Sequence, residues 1–170
     1  MSNSIEIRQM TEADVELVYQ VFTEHHIGKP RDYILRCWEQ NETAERITLL
    51  GFYQRQFVGS LHLLTTSHYP HFVENGIPEI NDFNVIPPFR KLGIGNALME
   101  AVEAIGFEKY RIVGIGVGLN QSYGSAQRLY SKRGYLPDGR GLMYQQQPVI
   151  HGSMVCADDD LNLYFTKVKP

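Results

Sequence analysis

The stretch Asn84–Glu103, NVIPPFRKLGIGNALMEAVE, constrains this chain more than any other part of it. Glu79–Ile86 reads as a strand, and Pro87 and Pro88 stop it, because neither can donate a ladder hydrogen bond. Arg90, Lys91, Gly93 and Gly95 fill a short loop. Ile94, Ala97, Leu98, Ala101, Val102 and Ile105 then recur at three- and four-residue intervals, which predicts an amphipathic helix from Gly93 to about Tyr110. A strand that delivers into a helix N-terminus through glycines is an anion site. The first-turn N–H groups have no intrahelical partner and the helix dipole is positive there. Gly93 and Gly95 lack Cβ atoms and let an anion approach the backbone, while Arg90 and Lys91 add charge-assisted contacts.

The rest of the chain is consistent with one domain over residues 1–170. Its 170 residues are 43% hydrophobic, enough for a single core without a disulfide or metal. A net charge of −3 excludes a strongly basic nucleic-acid footprint. Cys37 and Cys156 form no CxxC pair, so neither a thiolate zinc cluster nor a disulfide framework is expected. Met1–Met10 carries charges where a leader peptide has an apolar core, and no apolar run approaches the roughly 18 residues of a membrane span. The expectation is a cytoplasmic protein with no nucleic-acid or membrane partner.

Ile5–Arg8 alternates as a strand. Thr11 is expected to cap a helix with Asp14 three residues on, and Val15, Val18, Tyr19 and Phe22 mark its inner face. A second helix is expected over Arg31–Glu39, with Ile34, Leu35 and Trp38 inward. Ile47–Tyr53 and Phe57–Leu64 read as a hairpin turning at Gln54, Arg55 and Gln56. His68–Pro78 reads as a loop, Arg111–Leu119 as a strand, Gly124–Lys132 as a short helix and Leu161–Val168 as the last strand. The order β-α-α-β-β-β-α-β-α-β-β describes an α/β sheet of mixed direction with flanking helices.

Two common nucleotide motifs do not fit the anion loop. No Gly-Lys-Ser/Thr follows it as a P-loop requires, and Leu98 stands where GxGxxG needs its third glycine. The Arg-x-x-Gly-x-Gly spacing of Arg90, Gly93 and Gly95 instead resembles the acyl-CoA pyrophosphate motif of the GNAT superfamily of N-acetyltransferases. The opening strand, the TEADVELV helix and the downstream AQRLYSKRGY segment, Ala126–Tyr135, extend the resemblance over most of the chain. It implies a GNAT-like, mostly antiparallel sheet with splayed central strands. It also implies acetyl-CoA as cosubstrate, held by the backbone amides of Leu92, Gly93, Ile94, Gly95 and Asn96. Phe83 and Val85 would pair with the pantetheine arm by β-augmentation. Many members carry Asn three residues ahead of the Ala that matches Ala126. Tyr123 stands there in this chain, with Asn120 near enough to compensate.

Acetylating an amine requires removing a proton from an ammonium with a pKa of about 10, and the departing thiolate takes a proton. Glu79 is the candidate base, because a carboxylate at this strand position is the general base in some members, working through water. Strand periodicity puts it on the face of Asn81, Phe83 and Val85. The competing reading is a solvated carboxylate at a strand start. Asp82 ranks second, since it faces the other side unless a bulge rotates the strand. Tyr130 is the candidate acid for the CoA sulfur, by analogy with the tyrosine that members commonly carry there. The alternative is an aromatic packing its helix on the sheet. His62, His68 and His71 lack metal-ligand spacing and acidic or thiolate partners, so no metal is expected. Asp158–Asp160 reads as a solvated turn, and with Glu74 and Glu79 hints at a cationic acceptor. The acceptor implied is a primary amine of a small molecule or peptide. Homodimers are common among members, and a non-catalytic acyl-CoA sensor is the alternative function.

Overall fold

The computed structural model describes residues 4–170, so the reading of Met1–Met10 lies partly outside the described residues. The chain forms two compact units. One comprises the residues up to Thr65 together with Asn81–Ile105, and the other Thr66–Ile80 together with Gly106–Pro170.

In the first unit, β1 (Ile5–Gln9) pairs antiparallel with β2 (Arg46–Tyr53), and β2 with β3 (Gln56–Leu64). The β2–β3 turn is two residues long. Gln54 and Arg55 have φ of 50° and 69°, the backbone of a type I′ hairpin, whose twist matches that of the strands. Helices α1 (Asp14–Glu24) and α2 (Arg31–Glu42) cover this sheet, and Val15, Val18, Phe22 and Ile34 pack with Leu50, Phe52, Phe57 and Ile86. The Thr11 hydroxyl does not cap α1. It donates to Asp14 Oδ2 (2.8 Å), which also accepts the Thr11 N–H. Arg8 grips the same carboxylate through two bonds of 2.6 and 2.7 Å. That bidentate pair and the Thr11 bonds outweigh desolvation and hold Asp14 down at about 2.

Strand β4 (Glu79–Val85) begins in the second unit and finishes in the first, where its end lies beside β3. A Cβ on Gly59 would come within 2.5 Å of the Asn84 carbonyl oxygen, so glycine is required for β3 to approach β4 this closely. A 3₁₀ turn over Pro87–Phe89 leads into α4 (Ile94–Lys109).

In the second unit, Glu79 and Ile80 pair parallel with Gly114 and Ile115 of β5 (Ile112–Gly118), and the ladder stops after those two pairs. β5 runs antiparallel to β8 (Leu161–Val168), which pairs antiparallel with β6 (Leu136–Tyr144). β6 turns into β7 (Gln147–Pro148). The IVGIGVG of β5 puts a glycine at every second position. Those glycines seat the rings of Phe72, Tyr164 and Tyr123, each closer than 3 Å to where a Cβ would stand. His68–Pro78 is more ordered than expected, because Pro70 opens a one-turn helix, α3 (Pro70–Glu74), whose Phe72 is fully buried. α5 covers Gly124–Lys132. The architecture is the expected α/β class, a mixed and mostly antiparallel open sheet with flanking helices. No helix among the described residues is long and apolar enough to cross a membrane.

Candidate functional site

The anion loop lies in the first unit. Lys91 and Gly93 have φ of +66° and +89°, so the backbone turns through two left-handed residues immediately before α4. A Cβ on Gly93 would meet only ordinary contact, so it is the backbone angle that demands glycine there. The first N–H to return a helical bond to this turn is that of Ala97, to the Gly93 carbonyl (3.0 Å). Arg90, Lys91, Leu92, Gly93 and Asn96 are exposed, Gly95 is half-buried, and Ile94 is buried. Arg90 Nε donates to the Val85 carbonyl (3.1 Å), tying the loop to the end of β4. Phe83 and Val85 are half-buried on that strand. Two cations, a left-handed turn and a helix N-terminus fit a diphosphate.

Asp82 departs from strand geometry, with φ of +47°. This kink interrupts the two-residue alternation and lets its carboxylate enter a buried polar cluster. The carboxylate accepts from the Tyr33 hydroxyl (2.7 Å) and His62 Nε2 (3.3 Å), and lies 2.5 Å from Lys29 Nζ. His62 Nδ1 meets the Thr48 hydroxyl at 2.8 Å. Burial lowers the His62 pKa and keeps the ring neutral, so Nε2 carries the proton given to Asp82. Burial alone would raise Asp82, but the His62 hydrogen bond and the Lys29 ammonium outweigh it and hold the carboxyl far below its ordinary range. Asp82 is therefore a permanent anion and a poor base. Cys37 Sγ sits 3.9 Å from the same Nε2 that serves Asp82, so Cys37, His62 and Asp82 are not strung as a nucleophile triad. Burial also pushes the Cys37 thiol up, away from thiolate.

Glu79, in the second unit, has the opposite surroundings. It is 8% exposed, and no lysine or arginine pairs with it among the described residues. The Ser67 hydroxyl donates to its Oε2. Burial raises its pKa, and the Ser67 bond with the His68 charge and N–H only partly counter that. A carboxylate raised in this way holds a proton more readily than a solvated one, the direction a general base needs. Tyr130 is also buried and of this unit, its ring 6.1 Å from that of Tyr135. Burial and the neighbouring Tyr123 raise its pKa, so it is held as a protonated donor. Asn120 spends its side-chain oxygen on Ser122, accepting from the backbone N–H (2.9 Å) and the hydroxyl (2.6 Å). Its amide NH₂ remains the group suited to an outside partner.

The profile of the acetyltransferase (GNAT) family matches residues 12–135, most of the chain. The chain belongs to the GNAT acetyltransferase family. Solved structures share this acetyltransferase fold. An acetyltransferase from Salmonella typhimurium that modifies the N-terminal serine of ribosomal protein L7/L12 aligns at TM-score 0.73 and 13% identity, over 99% of this chain and 97% of that one. A Salmonella typhimurium protein described as an acetyltransferase, solved with acetyl-CoA, aligns at TM-score 0.71 and 14% identity, over 98% and 94%. A GNAT-family protein from Desulfovibrio desulfuricans aligns at TM-score 0.70 and 14% identity, over 97% and 99%. None of the curated proteins compared with the chain matches it.

In this member of the family, the first unit contains Phe83, Val85, Arg90, Lys91, Leu92, Gly93, Ile94, Gly95 and Asn96. The second holds Glu79, Tyr130 and Asn120. Sequence reasoning missed Ser67, Lys29, Tyr33 and the role of His62. Only His62 left a signal: with Ser60 it is a polar residue inside the otherwise apolar strand QFVGSLHLL, and a buried polar group needs a partner. His68 is exposed and His71 lies in α3. No cluster of three or more His, Cys, Asp or Glu among the described residues could hold a metal.

Proposed function

We propose that the protein transfers an acetyl group from acetyl-CoA to a primary amine of a small molecule or peptide by direct attack. The observation that carries this reading is the exposed left-handed turn at Lys91 and Gly93, opening onto the N-terminus of α4 in a chain of this family. Acetyl-CoA supplies the acetyl group as an activated thioester. The amides of Leu92–Asn96, with Arg90 and Lys91, hold its diphosphate, and the backbone at Phe83 and Val85 pairs with the pantetheine amides. Asn120 contributes its amide NH₂. Glu79 takes one proton from the acceptor ammonium, directly or through water. The neutral nitrogen bonds to the acetyl carbon as the C–S bond breaks, Tyr130 gives its phenol proton to the departing sulfur, and the second nitrogen proton, lost as the amide forms, returns through solvent to the Tyr130 phenolate. Neither cysteine enters the reaction. Support for Glu79 over Asp82 is that Glu79 lies outside any ion pair with lysine or arginine, whereas Asp82 is neutralised by Lys29.

A thiol-release assay across a panel of amines tests the reading. Wild type turns over, Tyr130→Phe is slower, and Glu79→Gln is slower chiefly at neutral pH. Full rate for Glu79→Gln at every pH withdraws that role. Calorimetric binding of coenzyme A without turnover on any amine assigns the protein instead as an acyl-CoA sensor.

A further inference from the structure

No lysine or arginine pairs with Glu79 among the described residues, so hydrogen-bond donors must fix which way its carboxylate points. We propose that Ser67 is the positioning residue for Glu79: it holds Oε2 by a hydrogen bond and so orients the carboxylate that takes the proton of the acceptor. The inference rests on the reading of Glu79 as the base.

The argument is one of hydrogen-bond bookkeeping. A serine hydroxyl has one proton and two lone pairs. Ser67 is 3% exposed, and its Oγ accepts the N–H of Tyr69, two residues on, at 2.9 Å. That bond fixes the rotamer and spends a lone pair, so the proton is directed onward to Glu79 Oε2. Tyr69 is itself immobile. It is 2% exposed, its ring is stacked on Tyr164 at 3.8 Å between centroids, and its hydroxyl donates to Asp138 Oδ2 at 3.0 Å. Beside the His68 N–H, the aim of Glu79 is thus inherited from the Tyr69–Tyr164 stack through one backbone N–H and one hydroxyl. The charged and titratable groups facing Glu79 are His68, beside it, and Tyr164 of β8, behind which stand Tyr69 and Asp138. Of these, His68 favours the ionised Glu79. Deleting the Ser67 hydroxyl therefore leaves burial less opposed, and the carboxyl protonates at higher pH.

The experiment is a carboxyl ¹³C NMR titration of Glu79 in the full chain, without acetyl-CoA or acceptor, for wild type, Ser67→Ala and Ser67→Thr. The expected result is a Glu79 midpoint moved to higher pH in Ser67→Ala and returned in Ser67→Thr, which keeps the hydroxyl. On the amine selected by the thiol-release panel, the acid limb of kcat/KM moves in the same direction. The neutral-pH rate of Ser67→Ala drops about tenfold, the size of one lost charge-assisted hydrogen bond, and recovers at high pH. A merely structural role would scale the whole profile instead. An unmoved NMR midpoint in Ser67→Ala overturns the proposal and leaves the base reading intact. A moved midpoint with an unmoved acid limb overturns the base reading, and Ser67's part in the reaction with it.

Discussion

Glu79 and Asp82 stand three residues apart on one strand, Glu79 in the second unit and Asp82 in the first. Asp82 meets an ammonium, a phenol and an imidazole N–H, and is driven to permanent ionisation. Glu79 meets a hydroxyl and a backbone N–H, and burial keeps its proton affinity high. What separates a fixed anion from a carboxyl of raised proton affinity is therefore the partner and not the carboxylate. The His62 contact and then the Lys29 ammonium make the difference at Asp82, whereas the Ser67 bond and His68 do not outweigh desolvation at Glu79.

The sharpest way to break this contrast is to delete each carboxylate and measure unfolding in urea. Asp82→Ala leaves Lys29 and Tyr33 without their shared acceptor and should cost about 3 kcal/mol. Glu79→Gln strands no cation and should change stability by less than about 1 kcal/mol. Equal losses would mean the two carboxylates do the same structural job.

Activity should rank the pair the other way. Glu79→Gln should lower kcat/KM about 10²-fold at neutral pH, the low end of general-base contributions, with thiol release as the readout. A loss under about twofold would remove Glu79 from the chemistry.

The pH dependence of stability should show opposite signs. Asp82 has a depressed folded pKa, so its contribution is present above the unfolded value of about 3.9 and is lost as pH falls below it. Glu79 has a raised folded pKa, so folding favours its protonated form. Its term weakens stability as pH rises from the unfolded value, about 4.3, through the folded one. In thermal melts, Asp82→Asn should therefore flatten the acid-side loss, and Glu79→Gln should flatten the decline above it.

The smallest expected effect sharpens the contrast with the anion loop, where backbone and not charge is the device. Gly93→Ala should cost about 1 kcal/mol of stability, because φ of +89° strains any residue with a Cβ. It should weaken coenzyme A binding in calorimetry while leaving the Glu79 carboxyl NMR midpoint where it was. A shift of that midpoint would couple two features that are independent in this account.

Much of this could be read from the chain alone. The Pro87-Pro88 stop, the glycines and the 3.6-residue period of α4 are local signals, and α4 and the hairpin formed within a residue or two of where spacing put them. Met143 and Tyr144 end β6 and Gln147–Pro148 forms β7, in a stretch where residue spacing marks no strand bounds. Strand pairing there comes from β8, far along the chain, which no local pattern announces. Asp82 shows the same limit. Its φ of +47° and its partners Lys29, Tyr33 and His62, contributed by distant segments, are not signalled by alternation.

The order of most elements, the family and the glycine turn before α4 were determined by the sequence, because each rests on residues close together in the chain and on backbone rules that hold anywhere. Which carboxylate keeps a usable proton was decided only by the tertiary structure. That outcome depends on desolvation and on His62 and Lys29 beside Asp82, and proton affinity is set by neighbours in space.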